Sequence, residues 1–412
     1  MSAYGSGDGG SPAFDSGNTA WMLISSALVL LMLPGLALFY AGMVRSKNVL
    51  ATMMHSFLAM AVISIQWVIV GYTLAFGSDK GGVIGGLDFL FLRGIGPETL
   101  QGDIPMYVFI MFQGMFAIIT PALISGALAE RIKFSAFFIF ILVWSTLIYD
   151  PIAHWVWGEG GWLYKMGALD FAGGTVVHIS SGISSLAAIL VLGKRRGYLK
   201  EKIIPHNLTI TLLGAGLLWF GWFGFNAGSA LAANTSAGLA FTVTHLASSS
   251  AALAWLICEW IHQGKPSALG IASGIVAGLV AITPAAGFVK PIESIIIGLV
   301  AGALCYKAVL LKVKLRYDDS LDVFGIHGVG GIWGALATGI FVTVGGTGVL
   351  AGNWNQLWVQ FLGILATVVY AFVGTLIIAY ILDKTIGLRV EEEDEVIGLD
   401  QTQHGEIGYN LS

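Results

Sequence analysis

Charge is what this sequence has least of. Only 11% of its residues are Asp, Glu, Lys or Arg, against roughly 25% in a soluble domain. That leaves too few polar groups to coat a soluble globule of 412 residues. Cysteine is nearly missing as well. Cys258 and Cys305 each lie in an apolar run, at no metal or redox spacing, and read as small packing residues. A basic start followed by a short apolar stretch is lacking, so no secretory signal is expected and the first long apolar stretch serves as the targeting element. A glycine-rich phosphate loop ending in Lys-Ser/Thr is lacking too, which argues against an ATP-driven pump. No cofactor or metal motif stands out. The net charge of −4 gives no electrostatic footprint for a nucleic acid partner.

What is abundant is apolar surface and glycine. Hydrophobic residues make up 56% of the chain and glycine 56 positions, about twice the usual ~7%. Glycine suits membrane helices, which associate by close backbone approach. Apolar stretches fall at about 21–43, 51–76, 107–128, 134–150, 171–192, 206–228, 236–261, 267–287, 292–311, 324–344 and 355–382. Each fits the ~20 residues a bilayer-spanning helix needs. The fourth is short and could extend toward Trp157.

The basic residues orient this map. With the N-terminus outside, only Lys80, Arg93, Lys165 and Lys290 face outward, and the other sixteen of the 20 Lys and Arg face inward. That asymmetry fits eleven spans, N-out and C-in. The expected fold is an all-α integral membrane protein of the plasma or inner membrane, multi-pass and surrounded by lipid. Residues 1–20 form an extracytoplasmic segment, 21–382 the membrane domain and 383–412 a cytoplasmic tail. The tail carries the acidic run Glu391 to Glu395, which reads as a solvated, partly disordered end.

Ionisable residues inside a membrane are costly and mark pathways. In two segments an acid precedes a histidine by eight positions: Asp170 to His178, and Asp319 to His327. The first opens the fifth helix from outside and the second opens the tenth from inside. The same pattern in opposite orientation is what an inverted 5+5 repeat predicts, with halves at about 21–192 and 206–344 and an extra helix at 355–382. Eight residues span ~12 Å of helix, so both histidines reach the midplane of a ~30 Å core. A permeation site and an interhelical hydrogen bond are the competing readings of one such histidine; two at matching depth favour the pathway. His154, His206, His245 and His262 lack this context and read as structural. Glu259 can snorkel or pair at a helix end, and Asp318, Asp319 and Asp322 read as caps.

A second cluster gathers on the outer half. Phe112 and Phe116 lie one turn apart on the third helix. The sixth ends Trp219-Phe220-Gly221-Trp222-Phe223-Gly224-Phe225-Asn226-Ala227-Gly228-Ser229, and Trp157 stands in the outer loop before the fifth. Aromatic faces with a hydroxyl can hold a small cation; plain aromatic packing is the alternative.

These strings, with Pro34-Gly35-Leu36-Ala37-Leu38-Phe39-Tyr40, Gly126-Ala127-Leu128-Ala129-Glu130-Arg131 and Asp322-Val323-Phe324-Gly325-Ile326-His327-Gly328, make the chain resemble the ammonium transporter family (Amt/MEP/Rh), in its bacterial-type branch. The resemblance runs from about Asn18 to the C-terminus. It implies a homotrimer in which each protomer has its own pore. It implies an outer ammonium site at Trp157, Phe116 and Ser229 with Asp170 in support. It also implies a gate at Phe116 and Phe225 with Phe112 above, and pore histidines His178 and His327, with Trp222 and Asn226 supporting. Methylammonium is the expected substrate analogue, and a PII-type signal protein the expected partner of the tail. The function so implied is an ammonium/ammonia channel or transporter rather than an enzyme. An ammonium sensor with little conduction is the alternative, and an intramembrane enzyme a more distant one.

Overall fold

The computed structural model describes residues 14–410. Most of the N-terminal segment expected at 1–20 therefore lies outside the described residues. Ten helices are long and apolar enough to cross a membrane, and a shorter apolar helix, Ala268–Ile282, joins them. Together they occupy the eleven expected stretches. In chain order α1 is Ser16–Met43, α2 Ser46–Phe76, α3 Met106–Leu128 and α4 Phe134–Lys165. The fifth to eighth are α5 Gly174–Leu192, α6 Leu208–Gly228, α7 Thr235–Gln263 and α8 Ala268–Ile282. They are followed by α9 Pro291–Leu315, α10 Phe324–Phe341 and α11 Trp354–Thr385. The continuous part of α4 runs to Trp157, so it does extend past its apolar stretch. The connection after α2 holds two small antiparallel hairpins, Asp79–Lys80 with Ile84–Gly85 and Leu100–Gln101 with Ile104–Pro105.

Small residues set the spacing. A methyl group on Gly214 of α6 would lie 2.3 Å from the Phe39 nitrogen of α1, so α1 and α6 pack backbone to backbone. A methyl group on Gly182 of α5 would lie 2.2 Å from the Gly328 nitrogen of α10. That second crossing is one turn from His178 and directly beside His327. Such approach replaces the hydrophobic driving force that lipid cannot supply.

Four π-type turns interrupt the helices: Trp67–Gly71, Ser145–Tyr149, Gly174–Ile179 and Phe324–Gly328. In such a turn the hydrogen bond reaches back five residues, and it is frequent at functional sites. The last two carry His178 and His327.

Beyond α11 the tail folds back onto the protein. It forms α12 (Glu392–Ile397) and α13 (Leu399–His404). The acidic run is not the solvated, partly disordered end that its composition alone suggests. Glu395 is buried, because its carboxylate takes hydrogen bonds from the Arg389 guanidinium at 2.6 Å and the Arg196 backbone N–H at 3.1 Å.

Candidate functional site

Each histidine sits below a carboxylate that fixes the start of its helix. Asp170 Oδ1 accepts from the Gly173 and Gly174 N–H groups, and Oδ2 from those of Thr175 and Val176, at 2.6–3.1 Å. Asp319 does the same for α10, accepting from Val323 at 3.0 Å and Phe324 at 2.7 Å. These are the orphan donors of a helix N-terminus, which a carboxylate satisfies well. Asp318 instead pairs with Arg195 at 2.8 Å, and the Asp322 carboxylate with the Lys312 ammonium.

His178 and His327 meet. Their Nδ1 atoms are 3.2 Å apart, and both rings are buried. One nitrogen must donate and the other accept, so at least one ring is neutral. The cavity around them is lined by Met32, Leu36, Ile119, Val177, Leu218 and Trp222 among others, and measures ≈ 10 Å³. That is about the room one water-sized molecule needs. His178 Nε2 is buried and has no hydrogen-bond partner among the described residues.

Aromatic rings link this pair to the outside. His178 stacks on Trp222 with centroids 5.4 Å apart, and lies 6.1 Å from Phe225. Phe225 lies 4.3 Å from Phe116, which meets Phe112 at 4.9 Å and Trp157 edge-on at 5.8 Å. Beyond Phe116 opens a cavity of ≈ 750 Å³, bordered by Trp157, Ser229, Tyr72, Phe76 and Glu159 and proposed below as the outer one. The Trp157 indole N–H donates to the Asp170 carbonyl at 2.9 Å. Asp170 thus meets Trp157 through its main chain, while its carboxylate is occupied by the helix start. Ser229 Oγ donates to the Phe225 carbonyl at 2.8 Å, which leaves its lone pairs free to accept. Asn226 Nδ2 donates to Thr244 Oγ1 at 2.9 Å, anchoring the end of α6.

His154, His206, His262 and His245 make local contacts. His154 bonds the Ala75 carbonyl and Asp79, His206 the Val44 carbonyl and Tyr409, and His262 the Tyr306 hydroxyl. His245 stacks on Trp219 at 5.2 Å. Glu259 accepts from the Ser267 N–H at 2.8 Å and so holds the residue that caps α8.

With this geometry in hand, comparison with known proteins is decisive. The model of the Ammonium Transporter Family matches residues 20–409. The chain belongs to the ammonium transporter family. An ammonium transporter of Bacillus subtilis is 51% identical over 96% of this chain and 99% of its own length. The crystal structure of Saccharomyces cerevisiae Mep2 matches with a TM-score of 0.88 at 38% identity, covering 97% of this chain and 92% of that one. A solved structure described as a sensor Amt protein matches with a TM-score of 0.87 at 31% identity, covering 94% and 98%. The protein is therefore a multi-pass membrane protein of a transport family, not an enzyme.

Sequence reasoning singled out the histidines, the aromatics and Ser229. It gave no role to Gln66 or Asp150, although an acid at the edge of the 134–150 apolar stretch was itself a signal.

Proposed function

We propose that this protein conducts ammonium nitrogen across the membrane as ammonia. Ammonium docks between Trp157, Phe116 and Ser229, sheds a proton near the Phe116/Phe225 gate and passes His178 and His327 as NH₃. The observation that carries this reading is the histidine pair at 3.2 Å in a narrow apolar cavity. Such a cavity opposes a bare ion but suits a small guest that both donates and accepts hydrogen bonds. Two imidazoles sharing one Nδ1 proton leave Nε2 positions to meet that guest. Parallel measurement of substrate uptake and current in proteoliposomes tests it. Saturable uptake of ammonium nitrogen with little or no potassium current would support it; a potassium current as large as the ammonium current would sink it.

A sensor with little conduction is the second reading, motivated by the sensor Amt protein of like fold. The continuity of the aromatic series from Trp157 through Phe116 and Phe225 to the paired histidines favours conduction. The same proposal includes a homotrimer, residues 1–20 outside, and the tail from 383 on the cytoplasmic face with a PII-type partner. Reporter fusions are expected to place residue 90 outside and residues 198 and 400 inside. A cytoplasmic N-terminus would overturn the eleven-span orientation.

A further inference from the structure

Two of the four π-type turns hold the histidines. The other two, Trp67–Gly71 of α2 and Ser145–Tyr149 of α4, lie against each other. Gln66 immediately precedes the first and Asp150 immediately follows the second. Both side chains are buried, at 3% and 0% exposure. Gln66 Nε2 donates to Asp150 Oδ2 at 2.8 Å and to Thr146 Oγ1 at 3.2 Å, which uses both of its protons. Two oxygens remain. Gln66 Oε1 and Asp150 Oδ1 are buried and have no hydrogen-bond partner among the described residues.

Two unmet acceptors at one contact are a costly arrangement, and more so if one belongs to a charged carboxylate. A single proton removes both defects. A carboxylic acid donates from one oxygen and accepts at the other; a primary amide donates from nitrogen and accepts at oxygen. Face to face, they close a ring of two hydrogen bonds. We propose that Asp150 is held as a neutral carboxylic acid, donating to Gln66 Oε1 while accepting from Gln66 Nε2, and that this pair positions the outer site.

The surroundings fit. A Cβ on Gly71 would lie 2.7 Å from Gln66 Oε1 and 2.9 Å from Nε2, so the bare α-carbon of the π-type turn makes room for the amide. Asp150 starts the helical run that ends at Trp157. Gln66 leads into the run carrying Tyr72 and Phe76, both on the outer cavity. Its neighbour Trp67 donates to the Ile110 carbonyl of α3 at 2.9 Å, two residues before Phe112 and six before Phe116. The pair joins α2 to α4, and the adjoining Trp67 joins α2 to α3, so three helices that shape the recruitment cavity meet at this point. Its positioning role rests on the reading of Trp157 as part of the ammonium site; the protonation of Asp150 does not.

Exchange of the two chemistries tests the inference. In D150N an amide supplies the same donor and acceptor, so methylammonium KM and melting temperature are expected to stay within about two-fold and within error of the parent; about two-fold is the scatter of independent sites. D150A leaves the Gln66 amide unpaired and is expected to raise KM and lower the melting temperature. The exchanged pair Q66E/D150N, again one acid facing one amide, is expected to match the parent in both. Infrared spectra of purified protein at neutral pH give an independent readout. The carbonyl band of a protonated carboxyl group should be present in the parent and lost in D150N. The proposal is overturned if no such band is lost, if D150N is as impaired as D150A, or if D150N cannot be obtained folded. Should W157L leave KM unchanged, the ammonium-site reading fails, while the infrared and exchange arms still decide the state of Asp150.

Discussion

His178 Nδ1 faces His327 Nδ1 across 3.2 Å, from helices that begin at residues 174 and 324. Each helix start is fixed by its own aspartate, so the two rings are held by independent scaffolds that meet at Gly182 and Gly328. A shared proton needs that fixed distance. Replacing both histidines with alanine is expected to uncouple uptake from proton movement, while the concentration dependence set at the outer site changes little. H178E is expected to keep part of the activity, because a carboxyl group also relays protons. Parallel current and uptake measurements check this. A double mutant with the parent rate, current and discrimination against K⁺ would make the pair a structural contact only.

The outer site predicts a binding defect. The edge of Trp157 meets Phe116, and Ser229 Oγ spends its proton on Phe225. A cation arriving here meets π faces and a free hydroxyl lone pair. One exposed cation–π contact contributes roughly 0.5–1 kcal/mol and a desolvated one ~2. W157L and S229A are therefore each expected to raise apparent KM for methylammonium by a few-fold to about thirty-fold. K⁺ should compete poorly, since it cannot donate to Ser229. Unchanged saturation curves in both variants would return these residues to ordinary packing.

The inner loops predict an acid-sensitive stability. Glu130 is fully buried between Arg195 at 2.9 Å and Arg45 at 2.9 Å, and Arg195 also grips Asp318 at 2.8 Å. Burial alone would raise the Glu130 carboxyl, but the two guanidiniums outweigh it and hold it at about 2, below its ordinary 4.5. A carboxylate depressed in the folded state stabilises fully above its unfolded pKa and loses that contribution as pH falls through the folded value. The transition temperature is expected to drop as pH goes from about 4.5 toward 2, with a contribution of about 3 kcal/mol at stake. E130Q should lower stability at neutral pH and flatten the acid limb. An acid limb identical to the parent would show that another group carries it.

The histidine pair was legible because its cause is local: an acid, eight residues and a histidine, twice, in opposite orientation. The eleven apolar stretches were legible for the same reason. Pairings across long separations were not. Glu395 lies in a run of five acids that reads as solvated, yet it is buried because the Arg389 guanidinium neutralises it and the Arg196 backbone N–H donates to it, both from outside the run. Gln66 and Asp150 are 84 positions apart, and neither carries a mark of its partner. The π-type turns also leave no local signature, since Trp67–Gly71 and Ser145–Tyr149 are as apolar as the regular helix around them.

The tail is the last place where contact implies control. Lys47 Nζ donates to the Glu395 and Val396 carbonyls, at 2.7 Å and 2.6 Å, at the end of α12. Asp400 Oδ1 accepts from the Ala51 N–H at 2.8 Å, at the start of α2, and Asn48 Oδ1 accepts from the Leu399 N–H at 2.8 Å. Asn48 in turn donates to Glu130 at 2.9 Å, so tail and inner loops form one hydrogen-bonded unit. The backbone joins it too, through Val390 N–H to the Arg131 carbonyl at 3.0 Å. Most of these groups are buried, so removing the tail exposes several donors and acceptors at once, each worth about 1 kcal/mol or more when left unmet. Truncation at Gly387 is therefore expected to change the uptake rate and to abolish inhibition by a PII-type protein. D400N, which keeps shape but weakens the acceptor at Ala51, should fall between truncation and parent. Proteoliposome uptake with and without the partner measures both effects. A truncated protein with the parent rate and the parent response to its partner would refute the coupling.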